Sequence, residues 1–347
     1  MQKMMKAIVK ARPEHGGLEL RDVPVPAVGA NDVLVKIRKV GICGTDMHIY
    51  KWDAWAERTI KTPMTIGHEY VGEIAALGEN VTHFEIGQLV SGEGHLVCHK
   101  CRWCITGQQH LCKATKGVGV NRDGVFAEYA VIPATNIVPA DPRVPEAVLA
   151  VQDALGNAIH TAYQFPLLGE DVLITGMGPI GLMAIPVAKI AGARNIVVTA
   201  RRDGPLQLAK ELGATRTVNV KNERIKDVFE ELGITEGFDV GMEMSGNPEA
   251  LAEMVEYMAH GGKIAILGIF AGEIKLNWDK IIFGMLTLKG IYGREMYESW
   301  YKMSALLPNG LAEQIAKTVT HEFHYTEFEK GFAAMASGEA VKVVLSF

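Results

Sequence analysis

Over residues 1–150, apolar positions come in short runs that alternate with polar ones and are cut by Gly and Pro. "KAIVKA", "DVLVKIRKV", "YVGEIAALG", "QLVSGEG" and "FAEYAVIPA" are of this kind. Such runs predict β-strands, and together a β-rich barrel with long loops. From Asp171 the pattern changes. "DVLITG", "NIVVTA", "TRTVNV", "FDVGMEM" and "GKIAILG" read as short buried strands. Between them lie longer segments of helical spacing such as "GLMAIPVAKIAGA" and "PLQLAKELGA". Strands alternating with helices predict βαβ units and a parallel sheet. Near Tyr292 the alternation stops, and the tail ending in "AVKVVLSF" returns to β-like composition. The reading is an α/β chain with three segments: 1–150 β-rich, 151–295 doubly wound, 296–347 rejoining the first.

Composition changes this picture little. The chain has 347 residues, 48% of them hydrophobic. That is long enough for two cored domains. A net charge of -5 gives no reason to expect nucleic acid or an anionic membrane surface as partner. "MQKMMKAIVK" does not read as a signal peptide, and no uninterrupted apolar stretch is long enough to span a bilayer. The expectation is a soluble, cytoplasmic protein. In that compartment its five cysteines read as metal ligands or reactive groups before disulfides.

Four of them, Cys98, Cys101, Cys104 and Cys112, lie in "CHKCRWCITGQQHLC". Four thiolates at this spacing suit a closed structural zinc, with an iron–sulfur cluster as the alternative. The fifth, Cys43, lies in "GICGTDMHIY", and further along comes "GHEY" with His68 and Glu69. Cys, His and a carboxylate are the mixed ligands of an open, catalytic zinc. Thr45 and His48 stand where they could pass a proton toward solvent, and Asp46 where it could orient a histidine. Asp153, in "QDALGNAIHTA", adds a carboxylate near the domain junction.

Gly176-Met177-Gly178-Pro179-Ile180-Gly181 is G-x-G-x-x-G between a strand and a helix, the context that a dinucleotide site requires. About 20 residues beyond such a turn, NAD enzymes carry an acidic residue for the adenosine ribose. Here that place holds Ala200, followed by Arg201 and Arg202. Alanine removes both the ribose contact and the repulsion of a 2′-phosphate, and the guanidinium forks fit phosphate geometry. The local chemistry favours NADP over NAD. If the two arginines are merely solvated, or Asp203 takes over the ribose, NAD would remain.

Over its whole length the chain resembles the zinc-dependent medium-chain alcohol dehydrogenases. The shared features are Cys43 with His68–Glu69, the four-cysteine lobe and the glycine turn. "HIYKWDAW", "GEGH" and "GREMYESWYKM" are most similar to members that oxidise the 3-hydroxyl of L-threonine to 2-amino-3-ketobutyrate. The resemblance implies a GroES-like β-rich catalytic domain, a Rossmann domain inserted before its last part, one catalytic and one structural zinc, a nicotinamide cofactor and a homotetramer. It implies Cys43, His68 and Glu69 as ligands of the catalytic zinc, with Asp153 beside it. It gives Thr45 and His48 as proton relay and His95 as a substrate-side histidine. Arg294 falls in a loop that approaches the cofactor. Tyr50 and Trp52 read either as pocket lining or as packing. Ala154, where relatives often have proline, and Gly87-Gln88, in place of Gly-Asp, depart from the family without removing a chemical group. Rival readings are a polyol or 2,3-butanediol dehydrogenase and a non-catalytic nucleotide-binding scaffold.

Overall fold

A computed structural model describes residues 3–347 of the chain. They form two compact units. One comprises residues up to 154 together with 295–312 and 319–347; the other comprises 155–294 and 313–318. The segment 313–318 therefore belongs to the second unit, inside the stretch that the sequence reading gives wholly to the first.

The first unit is built on a seven-stranded sheet. Across it lie Ile137–Pro139, Leu89–Gly92, Glu69–Leu77, Asp32–Ile42, Lys342–Ser346 and Val319–His324, with Tyr129–Pro133 also pairing with Asp32–Ile42. Asp32–Ile42 alternates buried and accessible positions through Ile37, then is buried continuously from Val40 to Ile42. The alternating part needs only one covered face. The continuous part delivers Cys43 into a covered site. Val35, Ile37, Ile42, Phe126, Phe332 and Leu345 belong to the core beneath. The tail strand Lys342–Ser346 runs antiparallel to Asp32–Ile42, with Val343 opposite Ile42. It thereby returns the end of the described chain to the strand that leads into Cys43.

The second unit is a six-stranded parallel sheet. Its strands lie in the order Arg216–Asn219, Asn195–Ala200, Asp171–Thr175, Phe238–Glu243, Met258–Ile266, Thr287–Gly290. In chain order this is 3-2-1-4-5-6, the doubly wound arrangement that binds dinucleotides where the order reverses. Asp171–Thr175 is buried at every position, as a central parallel strand must be when helices cover both faces. No helix among the described residues is long and apolar enough to cross a membrane.

Candidate active site and metal centres

Cys43, half-buried, directly follows the buried end of the strand Asp32–Ile42 and caps the helix Gly44–Lys51. Asp46, on the first turn of that helix, accepts a hydrogen bond from the Cys43 backbone N–H at 2.9 Å through Oδ2. Its other oxygen lies 3.9 Å from His68 Nδ1. One buried carboxylate thus fixes the helix start and faces the imidazole, leaving Nε2 for a ligand role. Burial pushes the Asp46 carboxyl up to about 6, against the pull of His68. Burial alone would depress His68, but Cys43, Asp46 and Asp153 outweigh it and raise the imidazole to about 10. So concentrated a set of electron-rich groups calls for a cation.

The donor atoms of Cys43, His68 and Glu69 lie within 4.8 Å of one another. Thiolate, imidazole and carboxylate at this separation fit zinc with a position left open. Asp153 is buried beside them and acts on His68 electrostatically, but stands outside that set of three. Thr45 Oγ1 lies 4.0 Å from Cys43 Sγ. His48 follows one turn later on the same helix, with its side chain 59% exposed.

Three partners carry little local signal in the sequence. Lys342, from the tail strand, is buried and places Nζ 2.8 and 2.7 Å from the two oxygens of Glu69 and 2.9 Å from Ile42 O. Burial works against its ammonium, yet Glu69, Cys43 and Asp46 raise its pKa above the ordinary value. Glu93 is fully buried; it accepts from the His95 backbone N–H and the Trp300 indole N–H, both at 2.8 Å. Asn136 donates to the carbonyls of Glu93 and His95. His95 is therefore held by its backbone, and "GEGH" and "ESWYKM" meet through one carboxylate. Lys10 is the third; it lies 5.0 Å from the Trp52 ring, and Tyr50 stacks on Phe332. Both aromatics are engaged in packing.

In the cysteine lobe, Cys101 and Cys104 Sγ are 3.5 Å apart, Cys98 and Cys112 3.6 Å, and Cys98 and Cys104 4.0 Å. A tetrahedron with Zn–S bonds of about 2.3 Å has edges of about 3.8 Å, so the four thiols fit zinc with no open position. The backbone N–H groups of Lys100 and Cys101 pull the Cys98 thiol down to about 6, which favours the thiolate a metal needs. Cys101→Ser is expected to lose one zinc per chain and lower the thermal midpoint, because metal binding here is folding free energy. Each kcal/mol lost corresponds to roughly 2–4 °C at this domain size. Turnover per folded molecule should stay near wild type. Metal analysis and a melt check this, and an unchanged zinc content and midpoint would refute the structural role.

The glycine turn is shaped for a pyrophosphate. Gly176 has φ +90°, and a Cβ there would meet the Ser245 backbone at 2.6 Å. A Cβ on Gly181 would lie 2.0 Å from Gly176 O, so the helix packs against the turn only without one. At Gly178 nothing lies within 4 Å, which leaves the approach open above Pro179 and Ile180 at the start of the helix Pro179–Ile190. Buried Glu243 ties the neighbouring turn by accepting from the backbone N–H of Ser245 at 2.8 Å and of Gly246 at 3.1 Å. Ala200 closes its strand, and Arg201 and Arg202 are exposed beyond it. Asp203 Oδ1 accepts from Asn219 at 2.7 Å. Arg294 is buried within the same unit, next to Gly293, whose carbonyl meets His160.

Residues 29–143 match the alcohol dehydrogenase GroES-like domain, and residues 179–309 match the zinc-binding dehydrogenase family. The chain is 57% identical over 343 residues to an L-threonine 3-dehydrogenase of Solibacter usitatus, covering 99% of this chain and 100% of that one. It is 55% identical over 345 residues to an L-threonine 3-dehydrogenase of Shewanella frigidimarina, with the same coverage. A zinc-binding dehydrogenase from Sinorhizobium meliloti 1021 bound to NADP superposes with a TM-score of 0.90 at 27% identity, covering 100% of both chains. A short chain alcohol dehydrogenase from Escherichia coli CFT073 complexed with NADH gives 0.90 at 27%, covering 99% of each. One fold thus serves either nucleotide in these neighbours.

Proposed function

Because this chain belongs to the zinc-binding alcohol dehydrogenase family, we propose that it oxidises the 3-hydroxyl of L-threonine to 2-amino-3-ketobutyrate, with NADP+ as the favoured hydride acceptor. The observation that carries the chemistry is the meeting of the Cys43, His68 and Glu69 donors within 4.8 Å of one another, Glu69 buried and the other two half-buried. The substrate rests on identity above one half, over nearly the full chain, to L-threonine 3-dehydrogenases.

Cys43, His68 and Glu69 would hold the catalytic zinc, with Asp153 beside it, and Cys98, Cys101, Cys104 and Cys112 the structural one. Bound among the first set, zinc would supply Lewis acidity that lowers the pKa of the substrate hydroxyl. The nicotinamide supplies the redox chemistry. The chain's own work is orientation and proton handling. Asp46 keeps His68 aimed, and Lys342 balances the Glu69 charge behind the ligands. Thr45 and His48 carry the hydroxyl proton outward, a task suited to a histidine with an exposed ring. His95, fixed through Glu93 and Asn136, stands on the substrate side. Gly176, Gly178, Pro179, Ile180 and Gly181 receive the pyrophosphate, and Arg294 approaches the cofactor.

The preference for NADP is supported by Ala200, by the exposed Arg201 and Arg202, and by the hydrogen bond that engages Asp203 with Asn219. A homotetramer fits the exposed Trp278, Phe283 and Met285, which precede the edge strand Thr287–Gly290; such apolar exposure at a sheet edge favours self-association. The surroundings are taken as cytoplasmic.

Initial rates with L-threonine, 2,3-butanediol and sorbitol, each with NAD+ and NADP+ at matched concentrations, test the reading. The expected result is the highest kcat/KM for the pair L-threonine and NADP+. Faster turnover of either diol would move the chain to the rival group, and no turnover of any would leave a nucleotide-binding scaffold.

A further inference from the structure

After the helix Gly44–Lys51 the chain reverses at Trp52, which adopts a left-handed conformation with φ 54° and ψ 50°. The reversal brings Asp53 back under the helix end, where its side chain has two tasks. Oδ1 accepts from the backbone N–H groups of Trp55 and Ala56, both at 3.0 Å, and so caps the helix Ala54–Thr59. Oδ2 lies 2.5 Å from His48 Nδ1. Burial raises the Asp53 carboxyl, but the Ala56 N–H and His48 outweigh it and hold it below its usual range. The turn is itself pinned. Lys10 lies against the Trp52 ring and donates to Glu14 O and Gly16 O at 2.6 and 2.7 Å, while Gly16 N–H donates to Tyr50 O. The Trp55 ring meets His48 edge-on at 6.1 Å.

From this geometry we infer that Asp53 is a positioning residue for His48, fixing its tautomer and ring orientation for proton transfer. The inference rests on the relay role of His48 given above. With one oxygen anchored to a helix N-terminus, the carboxylate cannot follow the imidazole; the imidazole must align to it. Nδ1 then keeps its hydrogen toward Asp53, and Nε2 is the nitrogen that takes up and releases the proton. The carboxylate thereby holds the ring in one tautomer and orientation, as an orienting carboxylate does for a general-base histidine. An exposed His–Asp contact adds little to stability, so its value lies in orientation.

The experiment compares Asp53→Asn, His48→Asn and the double variant, using the zinc-loaded enzyme with L-threonine and the nicotinamide nucleotide that turns over faster. Asparagine is as good a helix cap as aspartate, so Asp53→Asn keeps the turn while replacing the anionic acceptor that faces His48 Nδ1 with a neutral amide donor. Thermal midpoints check folding, and Asp53→Ser, which also caps, replaces the first variant if it melts early. Asp53→Asn should lower kcat by about tenfold or more, part of the roughly 10²–10⁴-fold that a placed acid–base group contributes. KM for L-threonine should move by less than about twofold, and the loss should vanish in the His48→Asn background, the mark of two residues acting as one unit. The same loss with and without His48, or wild-type kcat in a folded Asp53→Asn, would overturn the inference while leaving the relay intact. Wild-type turnover in His48→Asn would overturn the relay assignment and Asp53's role with it.

Discussion

Cys43→Ser is expected to lower kcat by at least about 10³-fold while the protein stays folded. A Lewis-acid metal is worth several kcal/mol to the transition state. Each step of about 1.4 kcal/mol is a factor of ten in rate. Serine keeps the size of the side chain but is a poor zinc ligand at neutral pH, so the set of three falls to two. The core strand that carries Cys43 does not depend on the metal: Val40, Ile42 and their neighbours stay buried against Phe332 and Leu345. Zinc content should fall from two to one per chain, and the four-cysteine lobe should retain its own. This separates the variant from Cys101→Ser, which should lose the other zinc together with stability. Two zinc ions in Cys43→Ser with wild-type turnover would remove Cys43 from the catalytic centre.

The second large effect concerns the nucleotide. Ala200→Glu combined with Arg201→Gln and Arg202→Gln is expected to move the ratio of kcat/KM for NADP+ to that for NAD+ toward NAD+ by roughly 10- to 100-fold, since one charge-assisted hydrogen bond contributes about 1.5–3 kcal/mol. The strand ending at Ala200 is paired in register with Asn219, so the introduced carboxylate would occupy a defined place at the strand end. Glutamate there would accept from ribose hydroxyls and repel a 2′-phosphate; glutamine at the next two positions would withdraw the guanidinium forks. The wild-type enzyme provides the sharper check. If it already turns over NAD+ with the higher kcat/KM, the two arginines do not serve a 2′-phosphate and Ala200 is only a missing contact.

Much of this is legible in the sequence because it is local. The glycine turn, the four cysteines and the strand–helix alternation each lie within short windows, and steric rules convert such patterns directly into a turn, a ligand set and a parallel sheet. The Cys43–His68–Glu69 set is also readable, since chemical type narrows the choice even where the ligands are not adjacent in the chain. Lys342 is not: it meets Glu69 across 273 residues, and only a lone lysine in the apolar run "AVKVVLSF" hints at a buried charge. Trp300 reaches Glu93 across 207 residues with no pattern linking them. His48 and Asp53 are close neighbours in the chain, yet their meeting depends on a left-handed residue at Trp52. Few non-glycine residues adopt that conformation, and nothing in "HIYKWDAW" announces it. Tyr50 and Trp52 leave lining open in the sequence beside packing, the more usual fate of aromatics, because an aromatic side chain suits both.

The pairing of Lys342 with Glu69 sets an order on biosynthesis. Ribosomes deliver Cys43, His68 and Glu69 early, but the ammonium that balances Glu69 emerges 273 residues after it. A chain that stops before Lys342 lacks both the ammonium behind Glu69 and the strand that pairs with Lys39–Ile42, so the first unit cannot complete its sheet. Catalytic competence is thus a late event in the life of each chain, and ribosome-bound fragments truncated before Lys342 should be targets for chaperones and proteases rather than slow enzymes.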